Sequence, residues 1–295
     1  TASQREFVAR QLREVVVPAL EEVSGKKLDE DRLKELLASS ARAEDDLVYV
    51  WESAKHRPSP IDAYFGGVYY IGPIFTAFRG LPDCEAYYRS LRSEVDYRIA
   101  HGMGPTTPEG ELREQKYRIV VEGPPNWTSF RDFWKIFHDE GVVMVASTYT
   151  KVGGLYEQGF RHDPAKPFES LAEYCLGCYT NRNLPARVDI IAKYVEEYEA
   201  DGILFNSIKS CNSFSAGQLM MLRELEKRTG KETRNCVLGH LQRGGSPTTF
   251  DRALCSMFGA TAVELIAAGD FGKMVAFTNG GVGAVNLSEA VGRLK

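Results

Sequence analysis

The sequence predicts an α/β protein, a helical N-terminal region followed by a mainly parallel sheet with helices on both faces, and three observations predict it. Before residue 101 the apolar residues recur at helical spacing. From Lys116 onward, short β-branched runs alternate with amphipathic stretches, the order that builds parallel β-α units. Between the two, GMGPTTPEGE at 102–111 is dense in turn formers and marks an internal boundary.

In chain order, residues 4–23 read as an amphipathic helix. Its Phe7, Leu12, Val15, Val16, Leu20 and Val23 favour one broad face, and Pro18 requires a kink or a division into two pieces. Asp29 to Trp51 is a second helix, capped by Asp29, with Leu33, Leu36, Leu37, Leu47 and Val50 turned inward. The Gly-, Pro- and aromatic-rich stretch 57–75 is a turn and then a short buried helix or strand, and Leu81 to Ala100 is helical again. YRIVVEG (117–123) is a strand, SFRDFWKIFHDEG (129–141) a helix and VVMVAST (142–148) a strand. A long connection at 149–183 precedes a helix (186–200), a strand (DGILFNSI, 201–208) and a helix (215–230) that ends on Gly.

Bulk properties narrow the function classes. The 295 residues are 43% hydrophobic and 26% charged, near the globular average, so a packed core is expected. A net charge of −4 argues against nucleic acid as a partner, since phosphate binding needs clustered Lys and Arg. No apolar run reaches the length of a membrane span and no signal peptide opens the chain, so the expected compartment is the cytoplasm, with no membrane partner. Thr1-Ala2-Ser3 lacks an initiator Met, which reads as a processed, trimmed or partial sequence.

In parallel sheets, ligands gather at the carboxyl ends of the strands. Three loops leave those ends, at 123–129, 147–154 and 207–215, and are expected to line one cleft. Cys211 lies in the third, where a strand hands over to a helix. Backbone N–H groups and Lys209 there favour a thiolate able to attack a substrate or hold iron, and a small apolar residue at a tight turn is the alternative. Cys175 and Cys178 form a C-x-x-C, which suits metal, cluster or redox chemistry; two half-buried cysteines packing with Tyr174 and Tyr179 are the other reading. No second C-x-x-C completes a zinc ribbon, and Cys84, Cys236 and Cys255 read as core residues. His138 ends an apolar helix face and reads as structural. His162 sits in the long loop, where a structural or solvent-facing role outweighs contact with a charged substrate. There is no G-x-G-x-x-G after the first strand, no P-loop and no G-x-S-x-G elbow.

Longer strings carry a resemblance. AKHRPSPIDAYFGGVYYIGPIFTAFRG (54–80), VVEGPPNWTSFRDFW (120–134), STYTKVGGLYEQGFRHDP (147–164), EYCLGCYTNRNLP (173–185) and DGILFNSIKSCNSFSAGQL (201–219) resemble the benzoyl-CoA reductase branch of the 2-hydroxyacyl-CoA dehydratase family, over about residues 4–230. The resemblance implies a Rossmann-like two-lobed fold and a [4Fe–4S] cluster held by three cysteines. It also implies partner subunits, including an ATP-driven activator that delivers a low-potential electron, and reduction of an aromatic acyl-CoA. By position, Cys211 in IKSCN matches the cluster ligand of the family's C-terminal lobe; Cys175 and Cys178 match the branch's CLGC string as further candidate ligands. The other two family ligands belong to an N-terminal lobe that lies ahead of the pattern at which Thr1 begins.

The tail carries a different resemblance. ETRNCVLGHLQRGGSPTTFDRALCSMFGATAVELIAAGDFGKMVAF (232–277) resembles the C-terminal part of the 6-phosphofructokinases. By that resemblance Arg234, His240 and Arg243 bind a sugar phosphate, guanidinium forks suiting phosphate oxygens. The family's nucleotide-binding and catalytic Asp strings have no counterpart, so the kinase reaction is not expected. The chain thus divides into a mainly helical region (1–111), a Rossmann-like lobe (112–230) and a phosphofructokinase-like segment (231–295). In that segment, a strand at 235–241, a helix at 249–268 and a strand at 273–278 are compatible with continuing the same sheet. A sugar-phosphate-binding segment and an inactive chimeric chain are the alternatives to a partial reductase component.

Overall fold

The computed structural model describes residues 2–76, 78–107, 110–151, 155–207, 211–231, 233–236, 248–278 and 280–291. They divide into two compact units, Thr1–Leu238 and Gly239–Lys295.

The first unit opens with α1 (Ala2–Gln11), which runs through a π-helical turn at Leu12–Val16 into α2 (Val17–Ser24). Pro18 lies in the first turn of α2. It has no N–H to continue the ladder, and the wide turn ahead of it absorbs the break. The face expected to point inward is corrected: Phe7, Val15, Val16, Leu20 and Val23 are exposed. The helix instead docks through the small Ala9, with Val8, Leu12 and Val17, against Phe168 and Ala172. Ion pairs Arg5–Glu173 at 2.8 Å and Arg13–Glu169 at 3.1 Å flank the contact. Ala9 allows close approach, and the π turn shifts the phase of everything after it.

Next comes α3 (Glu30–Glu52), capped as expected by Asp29, whose carboxylate accepts the Arg32 N–H at 2.9 Å. The short α4 (Phe65–Tyr70) and α5 (Gly72–Phe75) occupy the aromatic stretch, and α6 (Pro82–Ala100) packs along α3. The turn-rich segment after α6 holds a small antiparallel ladder of β1 (Thr106–Thr107) and β2 (Gly110–Glu111).

The α/β part follows as β3 (Tyr117–Glu122), α7 (Phe130–Asp139), β4 (Val142–Ser147), α8 (Pro167–Gly177), α9 (Leu184–Glu197), β5 (Gly202–Asn206), α10 (Asn212–Ser215), α11 (Gln218–Thr229) and β6 (Thr233–Cys236). The strands form one parallel sheet in the order β4-β3-β5-β6. Pleating sends Val120, Val143, Val145, Ile203 and Phe205 to one face, against Val188, Ile191 and Val195 of α9 and Met221 and Leu225 of α11. Val121 and Met144 go to the other face, against Trp134 of α7 and Tyr64 and Phe65. Helices therefore cover both faces, as the alternating pattern predicts. The strand expected at 235–241 begins earlier, with Ile203 opposite Thr233 and Asn206 opposite Cys236; positions 237–241 lie outside the described residues.

Three buried ionic groups weld the helical region to the sheet, so the two architectures divided at 111 share one core. Arg118 on β3 donates to the carbonyls of Ala54 (2.6 Å), His56 (3.1 Å) and Tyr198 (3.0 Å), meeting the ends of α3 and α9. Burial draws its pKa down to about 10. Glu44 on α3 accepts from Ser40 at 2.9 Å, contacts the His162 ring and pairs with Arg79 at 3.5 Å. Asp62 accepts from the N–H groups of Tyr64 (2.9 Å) and Phe65 (2.7 Å) ahead of α4, and from Met144 on β4 (3.1 Å).

The second unit holds α12 (Thr249–Ala267), β7 (Lys273–Thr278), β8 (Gly281–Asn286) and α13 (Leu287–Val291). The helix starts in a capping box, Thr248 with Asp251. The expectation that 273–278 continues the parallel sheet is corrected: β7 pairs antiparallel with β8 in a sheet of two. The intervening sequence is Asn279-Gly280, a strong hairpin dipeptide, and a local return needs no crossover helix.

Asp62 makes a pH prediction. Burial pushes its carboxyl up to about 6, against the pull of its bonds from Phe65, Met144 and Tyr64. Between about pH 6 and pH 4 the folded chain holds a proton that the unfolded chain releases, so this residue's contribution to stability rises as pH falls through that window. In urea denaturation, the stability of wild type minus that of Asp62→Asn is expected to grow from pH 7 to pH 4, by ~3 kcal/mol at most. A flat or shrinking difference contradicts the assignment.

Candidate functional site

The strand order places a topological switch point between β3 and β5. The chain leaves the carboxyl ends of these neighbours toward opposite faces of the sheet, opening a crevice. Gly123 makes the close approach possible there. Its φ is +107°, and a Cβ would fall 2.1 Å from the Asn206 carbonyl oxygen. The two strand ends carry buried polar side chains on opposite faces, Glu122 and Asn206.

Glu122 organises one side. Its carboxylate accepts from Arg187 Nη2 at 2.9 Å, Gln218 Nε2 at 2.8 Å and the Tyr179 hydroxyl at 3.3 Å. Burial raises its pKa, and the bonds from Gln218, Arg187 and Tyr179 oppose that rise. Arg187 also donates to the carbonyls of Ser213 (3.2 Å) and Phe214 (3.4 Å) and lies 4.6 Å over the Tyr179 ring. One ion pair thus fixes β3, α9, the start of α11, the turn carrying Tyr179 and the turn after Cys211. Asn206 organises the other side, donating to the Tyr64 hydroxyl at 3.1 Å and the Pro124 carbonyl at 2.7 Å. At β4 the hydroxyl-rich STYT stitches its own turn: Ser147 Oγ accepts from Tyr149 N–H, and Thr150 Oγ1 donates to Ala63 O at 2.6 Å.

These turns enclose a mainly apolar cavity of about 360 Å³. Its walls bring Trp127, Thr148, Tyr149 and Phe214, one or more from each of the three loops expected to converge, together with Cys178, Tyr179 and Thr180 and residues of α4 and α5. The aromatic rings run as a chain: Trp127 to Tyr149 at 6.3 Å, Tyr149 to Phe214 at 5.9 Å and Phe214 stacked on Tyr179 at 5.7 Å.

The cysteines separate. Cys211 is half-buried and packed on the main core, next to Tyr149 of the cavity wall, whose phenol is raised by burial and then by this neighbour. The helix it precedes, α10, is a single turn, with Cys211 at its N-cap position. Cys178 lines the cavity at the residue where α8 ends, while Cys175 is exposed on α8. The backbone leaves the helix at Cys178 (φ −54°, ψ 137°), which redirects the chain after it into the turn that carries Tyr179. Cys84 is core as expected; Cys255 is exposed, which corrects that reading, and Cys236 lies on β6. His162 is buried against Glu44, and His138 packs its ring 5.0 Å from Trp134; both are structural. Arg234 falls on β6, and His240 and Arg243 lie outside the described residues. Glu122, Arg187 and Asn206 were missed by sequence reasoning; the signal was a Glu closing an otherwise β-branched run.

The described residues do not provide a complete ligand set for a four-iron cluster. No three of their His, Cys, Asp or Glu side chains converge, and Cys178 is the one cysteine among the cavity's lining residues.

The ion pair yields a double-mutant prediction. Arg187→Met strands the Glu122 carboxylate and is expected to cost about 3–5 kcal/mol. Glu122→Leu with Arg187→Met is expected to cost less than the sum of the single changes, because neither charge is left buried alone. Denaturant midpoints of the four proteins measure this, and strict additivity contradicts it.

The family described as 2-hydroxyglutaryl-CoA dehydratase, D-component, matches residues 1–233. A benzoyl-CoA reductase subunit of Thauera aromatica is 69% identical over 231 residues, covering 78% of this chain and 54% of that protein. The chain therefore spans about half the length of that relative. The tail matches elsewhere: a pyrophosphate–fructose 6-phosphate 1-phosphotransferase of Streptomyces coelicolor is 51% identical over 75 residues, 25% of this chain and 22% of that protein. An ATP-dependent 6-phosphofructokinase 3 of Bacteroides thetaiotaomicron is 45% identical over 96 residues, 32% of this chain and 27% of that protein. With the family matched across most of its length, the chain belongs to the 2-hydroxyglutaryl-CoA dehydratase D-component family.

Proposed function

We propose that this chain is a component of a cytoplasmic benzoyl-CoA reductase-type enzyme of the 2-hydroxyacyl-CoA dehydratase family, in which the cleft at the β3/β5 switch point receives the aromatic acyl group of an acyl-CoA. The observation that carries the reading is the aromatic lining of that cleft, Trp127, Tyr149, Phe214 and Tyr179, at the strand ends where such folds hold ligands. A flat ring gains offset stacking and edge contacts from these walls, while Thr148 and Thr180 offer hydroxyls to a carbonyl. The family's [4Fe–4S] cluster, its low-potential electron and its ATP-driven activator belong on this reading to the assembled enzyme. Cys211 is the residue of this chain proposed to reach the cluster, and Cys178 is the thiol that lines the cleft. No step of electron transfer is assigned to the described residues, whose ligand set is incomplete.

The test uses the chain assembled anaerobically with its partner subunits. Phe214→Ala is expected to weaken benzoyl-CoA binding about tenfold and leave free CoA binding within about twofold, since the loss is confined to ring contacts. Cys211→Ser is expected to lower bound iron in the same assembly. Equal benzoyl-CoA affinity in wild type and Phe214→Ala rejects the cleft as the acyl site.

A second reading rests on the tail's identity to phosphofructokinases. On this reading Arg234, His240 and Arg243 bind fructose 6-phosphate. Calorimetry of wild type against Arg243→Ala decides it, with equal heats rejecting the idea.

A further inference from the structure

On the opposite side of α4 from the acyl cleft lies a second cavity of about 370 Å³, which the proposed function leaves unused. Its volume falls in the range of small-molecule pockets, ~300–1,000 Å³. One wall is aromatic, made by Phe65 and Tyr70 of α4 with Phe130 and Trp134 of α7. Three of these rings already interlock, Phe65 lying 4.8 Å from Phe130 and 5.4 Å from Trp134, so that part of the wall is preformed. The closed end is set by Asp62, whose oxygens are taken up by the backbone N–H groups of Tyr64, Phe65 and Met144. The other lining residues include two guanidinium groups, Arg98 and Arg131.

The two arginines are in different states. Arg98 is engaged through Nε with Glu94 at 2.7 Å and through Nη1 with the Gly104 carbonyl at 3.0 Å and the Thr106 hydroxyl at 3.3 Å, leaving Nη2 without a partner among the described residues. Arg131 is exposed and makes no hydrogen bond or ion pair among the described residues. An unpaired planar fork beside a stack of rings matches a carboxylate attached to an aromatic ring, the oxygens taken bidentately and the ring laid on the wall. The charge balance selects a monoanion: one free fork and one half-engaged fork face a single negative group, and the Asp62 carboxylate disfavours a dianion near the closed end.

We propose that this cavity is a second ligand site, for a small aromatic carboxylate, with Arg131 holding the carboxylate and Phe65, Tyr70, Phe130 and Trp134 the ring. The site is separate from the acyl cleft and stands or falls independently of it.

The test is calorimetry of the full chain with benzoate, the smallest aryl carboxylate, alongside cyclohexanecarboxylate, inorganic phosphate and adenosine 5′-monophosphate. Benzoate is expected to bind more tightly than the other three. Arg131→Gln removes an exposed, unpaired charge, so the fold is retained, and is expected to weaken benzoate about tenfold, the scale of one charge-assisted hydrogen-bonded pair. Thr180→Trp, which fills the acyl cleft on the far side of α4, is expected to leave benzoate binding unchanged. Equal benzoate affinity in Arg131→Gln, tighter binding of phosphate or the nucleotide, or loss of benzoate binding in Thr180→Trp each overturns the proposal.

Discussion

The carboxylate of Glu122 sits without contact to solvent at the end of the central strand, and much of the candidate site is arranged around it. A buried charge is costly unless it is paired and fully hydrogen-bonded. Here the requirement is met by three side chains from three different elements, Arg187, Tyr179 and Gln218. Each partner has a second task. Arg187 holds the carbonyls of residues 213 and 214 after Cys211, Tyr179 forms a wall of the cleft, and Gln218 sets the first turn of α11. The desolvation cost of one carboxylate is thus converted into a fixed geometry for the cleft.

The same device recurs where the helical region meets the sheet. Arg118 gathers three carbonyls at helix ends, and Asp62 binds the entry to α4 onto β4. Lys151 is buried between Glu157, at 2.5 Å, and the rings of Tyr194 and Tyr198. Apolar burial is non-directional and tolerates sliding, whereas a buried charge that must find specific hydrogen-bond partners in a low-dielectric core specifies one register. That division of labour explains how a helical region and a parallel sheet share a core while the crevice between their loops stays open.

Much of this was legible in the sequence. The change from helical to β-α rhythm near Lys116 locates the sheet and its parallel character, while the order β4-β3-β5-β6 came from the structure. The convergence of Trp127, Thr148, Tyr149 and Phe214 follows from strand ends lying on one side. Three things were not legible. The inward face of α1 and α2 depended on a π turn that hydropathy cannot register. The pairing of β7 depended on a second strand with too many glycines to stand out, so local hairpin closure went unread. Glu122, Arg187 and Asn206 were invisible because a charge in sequence looks the same whether it is solvated or buried against a partner distant along the chain.

The central claim is that one buried carboxylate couples the Tyr179 turn to the turn after Cys211. Amide hydrogen exchange on Glu122→Gln tests it most directly. The amide is nearly isosteric but leaves Arg187 without a counter-charge, so both turns, 179–181 and 212–216, are predicted to exchange faster together while α3 and α6 keep their protection. Unchanged exchange in either turn, or a uniform loss of protection across α3 and α6, would contradict the account.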